Sequence, residues 1–484
     1  MKKIRFYSTN NKSEQASFKQ ALMNGLASDY GLYMIPKTDI PNLAPETISS
    51  MKGQPYAEIA FRVLNPFLEE EIPVEDLKSL LESAYDENII PTKVQPITGK
   101  THIMWLTNGP TYSFKDYAAR FYGRMLNYFL EKERKTRVVV VATSGDTGGA
   151  VADALHGLER VSCIVFFPKA RVSEHQRRQM TTLGKNVYAV EVNGDFDTCQ
   201  AIVKRILGDK AFSRRVFDDP DRFTSANSIS VGRLLPQAVY PFYAYSRVAD
   251  YHEPMIISIP SGNFGNMMGS VIAKAMGLPI SKILCGVNEN TEFADFMTTW
   301  KFQVKKTVFS PSVAMNVSNP SNFARLIDFY GGHVYDKRDE NGQVIGPGVM
   351  DTMPDIEAMK TDLFSICVSN ENHYRTMKEV YERYGVIIEP HGAVGWKTLE
   401  VYLKGNHNQL AVIDETADPA KFPDDIMKAI GRLPDIPENI RRQEKLDERM
   451  YHIDAAPDID SVGSMVVSTE QYERVKAIIA EMFP

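Results

Sequence analysis

Residues 137–158 carry a pattern that few folds accommodate. Val138-Val139-Val140-Val141 is a short unbroken apolar run, Thr143-Ser144-Gly145-Asp146-Thr147-Gly148-Gly149 follows as a hydroxyl- and glycine-rich loop, and a helical stretch continues to Leu158. A strand apolar on both faces needs cover on both sides, which helices flanking a parallel sheet provide. The pattern repeats at once, with a strand over 163–167, a helix over 173–183 closed by Gly184, a strand over 187–192 and a helix over 198–207. A second such region opens with a strand over 255–259, the loop Pro260-Ser261-Gly262-Asn263-Phe264-Gly265 and a helix over 266–276, and a further strand is expected over 410–413. This alternation predicts an α/β protein with two parallel-sheet lobes and a cleft between them.

The chain of 484 residues is long enough for more than one core. Residues 1–95 read as a helical N-terminal domain, with helices over 17–24 and 73–84 and little strand character; 96–240 read as the first lobe and 241–484 as the second. The stretch 300–360 is less regular and is expected to be an insertion in the second lobe, with Asp336-Lys337-Arg338-Asp339-Glu340-Asn341-Gly342 as an exposed charged turn. No fixed short repeat is present, which argues against a solenoid.

Lys115 is the most informative single residue. It lies in Gly109-Pro110-Thr111-Tyr112-Ser113-Phe114-Lys115-Asp116, where Ser113-x-x-Asp116 predicts a capping box and places Lys115 in the first helical turn. A helix N-terminus carries partial positive charge, which disfavours an ammonium and favours the neutral amine that attacks a carbonyl. Two loops could receive anions. Ser261-Gly262-Asn263-Phe264-Gly265-Asn266 and 143–149 both follow strands, open helices and contain glycines that allow close backbone approach. Each is also compatible with a packing turn or a capped helix, but the carboxyl edge of an open α/β sheet is where ligands bind.

Other chemistries find less support. With 55 basic and 61 acidic residues the formal charge is −6, so nothing global steers the surface toward nucleic acid or an anionic membrane. Cys163, Cys199, Cys285 and Cys367 show no paired spacing, the nine histidines show no metal-ligand motif, and no metal site is expected. His391 is a possible site residue, and Arg171, Arg177, Arg178 and Lys185 form a basic cluster that is either a solvated face or a contact for an anionic substrate. The start runs into Ser8, Thr9 and Asn10 without an apolar stretch, which argues against a secretory signal, and a cytoplasmic location is expected. A P-loop and a full dinucleotide fingerprint are absent, which disfavours a kinase or a dehydrogenase.

Read in order, these segments resemble the threonine synthase family, pyridoxal-phosphate enzymes that make L-threonine from O-phospho-L-homoserine, in its long bacterial and fungal form. The resemblance rests on 109–116, 143–149, Arg171-Val172-Ser173, 261–266, Pro390-His391-Gly392-Ala393-Val394-Gly395 and Thr416-Ala417-Asp418-Pro419-Ala420-Lys421-Phe422. It extends to Tyr7-Ser8-Thr9 and 25–32 near the start, and so spans nearly the whole chain. It implies pyridoxal-phosphate fold type II, the tryptophan-synthase β-like group, and pyridoxal 5'-phosphate as cofactor. It also implies Lys115 as the Schiff-base lysine, Gly262, Asn263, Phe264, Gly265 and Asn266 as the cofactor-phosphate loop, and Thr416 as the hydroxyl facing the pyridine nitrogen. Ser144, Asp146 and Thr147 match the loop that receives the substrate. A small-molecule substrate, no nucleic-acid or membrane partner, and a monomer or homodimer are expected. A phospho-lyase releasing 2-oxobutyrate and a non-catalytic cofactor-binding protein are the alternatives. Three positions depart from the family pattern: Asn316 where aspartate is frequent, Gly392 where threonine is common, and Asp418 where histidine is common.

Overall fold

The four valines lie on an interior strand of a five-stranded sheet, and their side chains alternate between two interiors. Val139 and Val141 enter the main core, while Val138 and Val140 enter a second core on the opposite face. A computed structural model describes residues 4–170, 172–250, 252–339, 344–406, 408–459 and 465–483. The strands of this sheet run, in spatial order, Tyr451–Ile453, Val187–Val192, Val161–Pro168, Arg137–Ala142 and Phe223–Ser225. All its pairings are parallel.

A six-stranded sheet has the order Leu363–Cys367, Ile280–Val287, Met255–Pro260, Ala411–Glu415, Thr101–Trp105 and Lys93–Thr98. It is parallel except at its edge, where Lys93–Thr98 pairs antiparallel with Thr101–Trp105. The main core contains residues from both sheets and from the N-terminal helices. Helices Asn370–Tyr384 and Pro390–Leu403 cover another face of the six-stranded sheet.

Strand pairing interleaves the chain in a way that divisions at 95 and 240 do not follow. Residues 101–105 join the six-stranded sheet, and the tail returns to the five-stranded one through Tyr451–Ile453 and helix Thr469–Met482, whose Tyr472, Val475, Ile478 and Ile479 enter its core. The N-terminal region holds helices Phe18–Asn24, Tyr56–Leu68 and Val74–Ala84, but also a small antiparallel sheet of Phe6–Ser8, Gln15–Ala16 and Tyr33–Met34. These strands are too short to carry a period, which is why only helix is legible there in the sequence. Within the irregular stretch 300–360, His333–Arg338 and Val344–Thr352 form a hairpin; Glu340, Asn341 and Gly342 of the expected charged turn lie outside the described residues. Among the described residues no helix is long and apolar enough to cross a membrane.

Candidate active site

Lys115 is the first residue of helix Lys115–Glu133, as expected, but the expected capping box is not what starts it. The cap position is Phe114, the Ser113 hydroxyl has no partner among the described residues, and the Asp116 carboxylate turns back to accept from the Thr111 N–H at 2.9 Å and the Thr111 hydroxyl at 2.6 Å. Gly109 makes room for this, since a Cβ there would lie 2.4 Å from Asp116 Oδ2. The turn before the helix is therefore closed by its own aspartate. It is pinned to the end of the neighbouring strand by Phe114 N–H to Thr416 O at 2.9 Å, Asp418 N–H to Tyr112 O at 3.0 Å and a bridge between Ser113 and Ala417. Behind it, the Tyr240 hydroxyl donates to Phe114 O, and Arg120 donates to the carbonyls of Ala84 and Ser83 in the N-terminal helical region.

Lys115 itself is half-buried, and its amine has no hydrogen-bond partner among the described residues. Burial pushes the amine down to about 8; Asp146 and Glu389 oppose that shift, while Lys421 and Arg233 reinforce it. An amine in that range is partly neutral near neutral pH, which nucleophilic attack on a carbonyl requires.

The loop at 262–266 follows Met255–Pro260, which lies beside Ala411–Glu415 in the sheet, so it reaches the same edge as Thr416. Its close packing explains the glycines: a Cβ at Gly262 would lie 2.6 Å from Ala314 O, and one at Gly265 would lie 2.8 Å from Gln237 Nε2. Phe264 adopts φ 62° at the cap of helix Gly265–Ala275, a conformation that costs a non-glycine residue about 1 kcal/mol and clusters at functional sites. Asn263 is held by Ser321 N–H and by the Asn322 side chain. Among the described residues, the backbone N–H groups of 262–266 have no protein acceptor. That row of donors at a helix N-terminus fits a phosphate group.

Asn266 donates to Asp414 Oδ2 at 2.7 Å. Burial pushes the Asp414 carboxyl up to about 7 against that hydrogen bond. Because this value lies above the ordinary 3.8, the stability contributed by the protonated carboxyl is fully present below about 4 and is lost as pH rises through about 7. Asp414→Asn is expected to remove this decline. Thermal midpoints at pH 5 and pH 8 check it, with the variant's gain over wild type larger at pH 8.

In the loop at 143–149, Thr143 does the capping: its hydroxyl accepts from the N–H groups of Gly145 and Gly148 at 2.9 and 2.8 Å. The partly exposed Ser144 and Thr147 thus keep hydroxyls with no partner among the described residues. Asp146 is buried and already engaged, by Lys421 at 2.6 Å and by the Gln176 amide at 2.9 Å. Burial pushes its carboxyl up, but the Lys421 and Lys115 ammonium groups more than offset this and hold it well below the usual range. Gly145, at φ 139°, leaves the space that Gln176 fills.

His391 lies in the first turn of Pro390–Leu403, which Glu389 caps through the N–H groups of His391 and Gly392. Its Nδ1–H donates to Glu389 Oε2 at 2.6 Å, leaving Nε2 to accept from Ala314 N–H at 3.1 Å. His391 thereby ties the segment that packs on Gly262 to the helix. Of the basic cluster, Arg177 pairs with Glu448 and Arg178 with Glu174 and Glu448, while Arg171 lies outside the described residues. Asn316 donates to Ser310 O and accepts from Ser310 N–H, a double role an aspartate could not fill. Asp418 caps the short turn Pro419–Lys421 through Ala420 N–H. Among the described residues no cluster of three or more histidine, cysteine or acidic side chains could hold a metal ion. Sequence reasoning missed Lys421, Gln176, Glu389 and Asp414 as parts of this site. Only the first three had a local signal, in the 416–422 run, in Ser173-x-x-Gln176 and in Glu389-Pro390.

A half-buried lysine of lowered proton affinity and a row of free backbone donors at one sheet edge define a pyridoxal-phosphate-dependent enzyme, and the family model of that description matches residues 104–413. Flanking models for the threonine synthase N terminus and the threonine synthase C-terminal region match 5–85 and 392–466. Threonine synthase of Pseudomonas aeruginosa is 33% identical over 463 residues, covering 92% of this chain and 95% of that protein. The pyridoxal-phosphate-bound threonine synthase of Brucella melitensis superposes with a TM-score of 0.84 at 28% identity, covering 99% of both chains. The Escherichia coli threonine synthase structure gives 0.83 at 28% identity, covering 99% of this chain and 100% of that one. The chain belongs to the threonine synthase family, and pyridoxal phosphate is its cofactor.

Proposed function

We propose that this enzyme converts O-phospho-L-homoserine and water to L-threonine and phosphate, with Lys115 as the amine that holds the cofactor. The observation that carries the reading is the position of Lys115, without a hydrogen-bond partner among the described residues and lowered to about 8, on a turn pinned to Thr416. Residues 262–266 would hold the cofactor phosphate through their free N–H groups, and the Thr416 hydroxyl would meet the ring nitrogen. The cofactor, when bound, supplies a ring that delocalises negative charge developing on the substrate. Lys115 in its neutral form would take protons in turn from the substrate Cα and Cβ and return them to Cγ, as phosphate leaves, and to Cα, while water supplies the hydroxyl at Cβ and its remaining proton goes to the departing phosphate; such a role typically contributes ~10²–10⁴-fold. Ser144 and Thr147 orient the substrate with hydroxyls that have no partner among the described residues, on a loop whose shape Thr143, Gln176 and Lys421 maintain.

Closure of the two lobes would exclude water until it is needed at Cβ. The same reading makes the protein a cytoplasmic monomer or homodimer that binds a small molecule and neither nucleic acid nor membrane. The formal charge of −6 and the four free cysteines support it. The test is product analysis of the purified enzyme with O-phospho-L-homoserine. Phosphate and threonine are expected in equal amounts; phosphate with 2-oxobutyrate would make the enzyme a phospho-lyase.

A further inference from the structure

Lys421 occupies a junction whose reach extends beyond the 143–149 loop that it helps to shape. It ends the turn Pro419–Lys421, its side chain is 0% exposed, and its ammonium donates to Asp146 Oδ1 at 2.6 Å and to Thr111 O at 2.9 Å. Its partners come from distant parts of the chain. Asp146 opens a helix within the 143–149 segment at the edge of the five-stranded sheet, and Thr111 belongs to the turn that presents Lys115. Lys421 itself follows the six-stranded sheet's strand Ala411–Glu415. Gln176 and Gln179 complete the junction by donating to Asp146 Oδ1 and Thr111 O.

We propose that Lys421 is a positioning residue for the reaction: its ammonium locks the substrate-receiving loop of one sheet to the Lys115 turn on the other. Stability alone is a poor reason for such a pair, because removing two charges from water costs about what their attraction returns, and apolar replacements are often as stable. What the pair supplies is a fixed geometry. The ammonium has two acceptors in set directions, so the loop and the turn cannot slide independently, and a misplacement of about 1 Å at a reacting centre costs ~10²-fold in rate. Its charge has a second consequence. Asp146, Lys421, Arg233 and Glu389 are the charged groups that face Lys115; Lys421 disfavours its protonation, and Asp146 favours it.

This inference rests on Lys115 being the cofactor-holding amine, and opposite-sign variants test it in the holoenzyme. In Lys421→Met the Asp146 charge is left unopposed, so the pH midpoint of the cofactor's absorbance change should rise by about one unit or more, as for a charge removed at close range. In Asp146→Asn the Lys421 charge is left unopposed, and the midpoint should fall. Both variants should lose ~10²-fold or more in kcat/KM, and Lys421→Arg, which keeps the charge, should leave the midpoint near wild type. A structural role alone would not move the two midpoints in opposite directions. Midpoints that stay put or move together, or a kcat/KM within threefold of wild type in Lys421→Met, would overturn the proposal. If Lys421→Met does not fold, the fall in Asp146→Asn decides. If wild type itself makes no threonine, the proposed reaction fails, while the absorbance shifts still test Lys421.

Discussion

Lys115→Ala is expected to abolish threonine formation and leave the fold intact. Activity should fall by at least the ~10²–10⁴-fold that a positioned acid–base group contributes, and further because the cofactor loses its attachment point. Stability should change little, for two reasons. The lysine side chain is half-buried with no hydrogen-bond partner among the described residues, and it opens its helix where alanine is a better helix former. The measurement is turnover beside a thermal unfolding curve of the same preparation. Activity within tenfold of wild type would refute the role given to Lys115, and a collapsed unfolding transition would show that it is structural.

The largest stability effect is expected from Gly392→Thr. Family members commonly have threonine there, and Gly392 has no positive φ that would demand glycine. The reason for glycine is Glu415: a Cβ at Gly392 would lie 1.7 Å from Glu415 Oε2. Burial, and then the neighbouring Glu389, push the Glu415 carboxyl well above the ordinary range. Its Oε1 accepts from Glu389 N–H at 2.9 Å, and Glu389 in turn caps the helix and orients His391. Threonine at 392 must displace this carboxyl, adding overpacking strain to a broken buried hydrogen bond, roughly 2–5 kcal/mol together. The same substitution in a Glu415→Ala background should cost less by ~1 kcal/mol or more, because the space is then vacant. Denaturant unfolding of the four proteins of this cycle measures the coupling. Equal costs in both backgrounds would mean that the two positions are independent.

This pair illustrates which parts of the site are legible in the amino-acid sequence and which are not. Gly392 stands out in the sequence as a departure, but its cause is a side chain 23 positions away on another element, and nothing local announces it. The capping box expected at Ser113 fails for a similar reason. Asp116 has a nearer partner in Thr111 once the turn closes over Gly109, and a short motif cannot say which of two compatible acceptor geometries wins.

Strand, glycine loop and helix are readable from the valine run, the 143–149 loop and the 261–266 loop, because apolar period and glycine placement act over a few residues. The placement of Lys115 in a first helical turn comes from the same short-range grammar. Tertiary structure alone settles which strands are neighbours, and with them every contact that completes the site: Asn266 with Asp414 across 148 residues, and Lys421 with Thr111 across 310. The reason is physical. Backbone preferences are local, whereas the order of strands in a sheet depends on how distant apolar faces bury one another, and buried charges such as Asp146 and Lys421 find their partners only after that order exists.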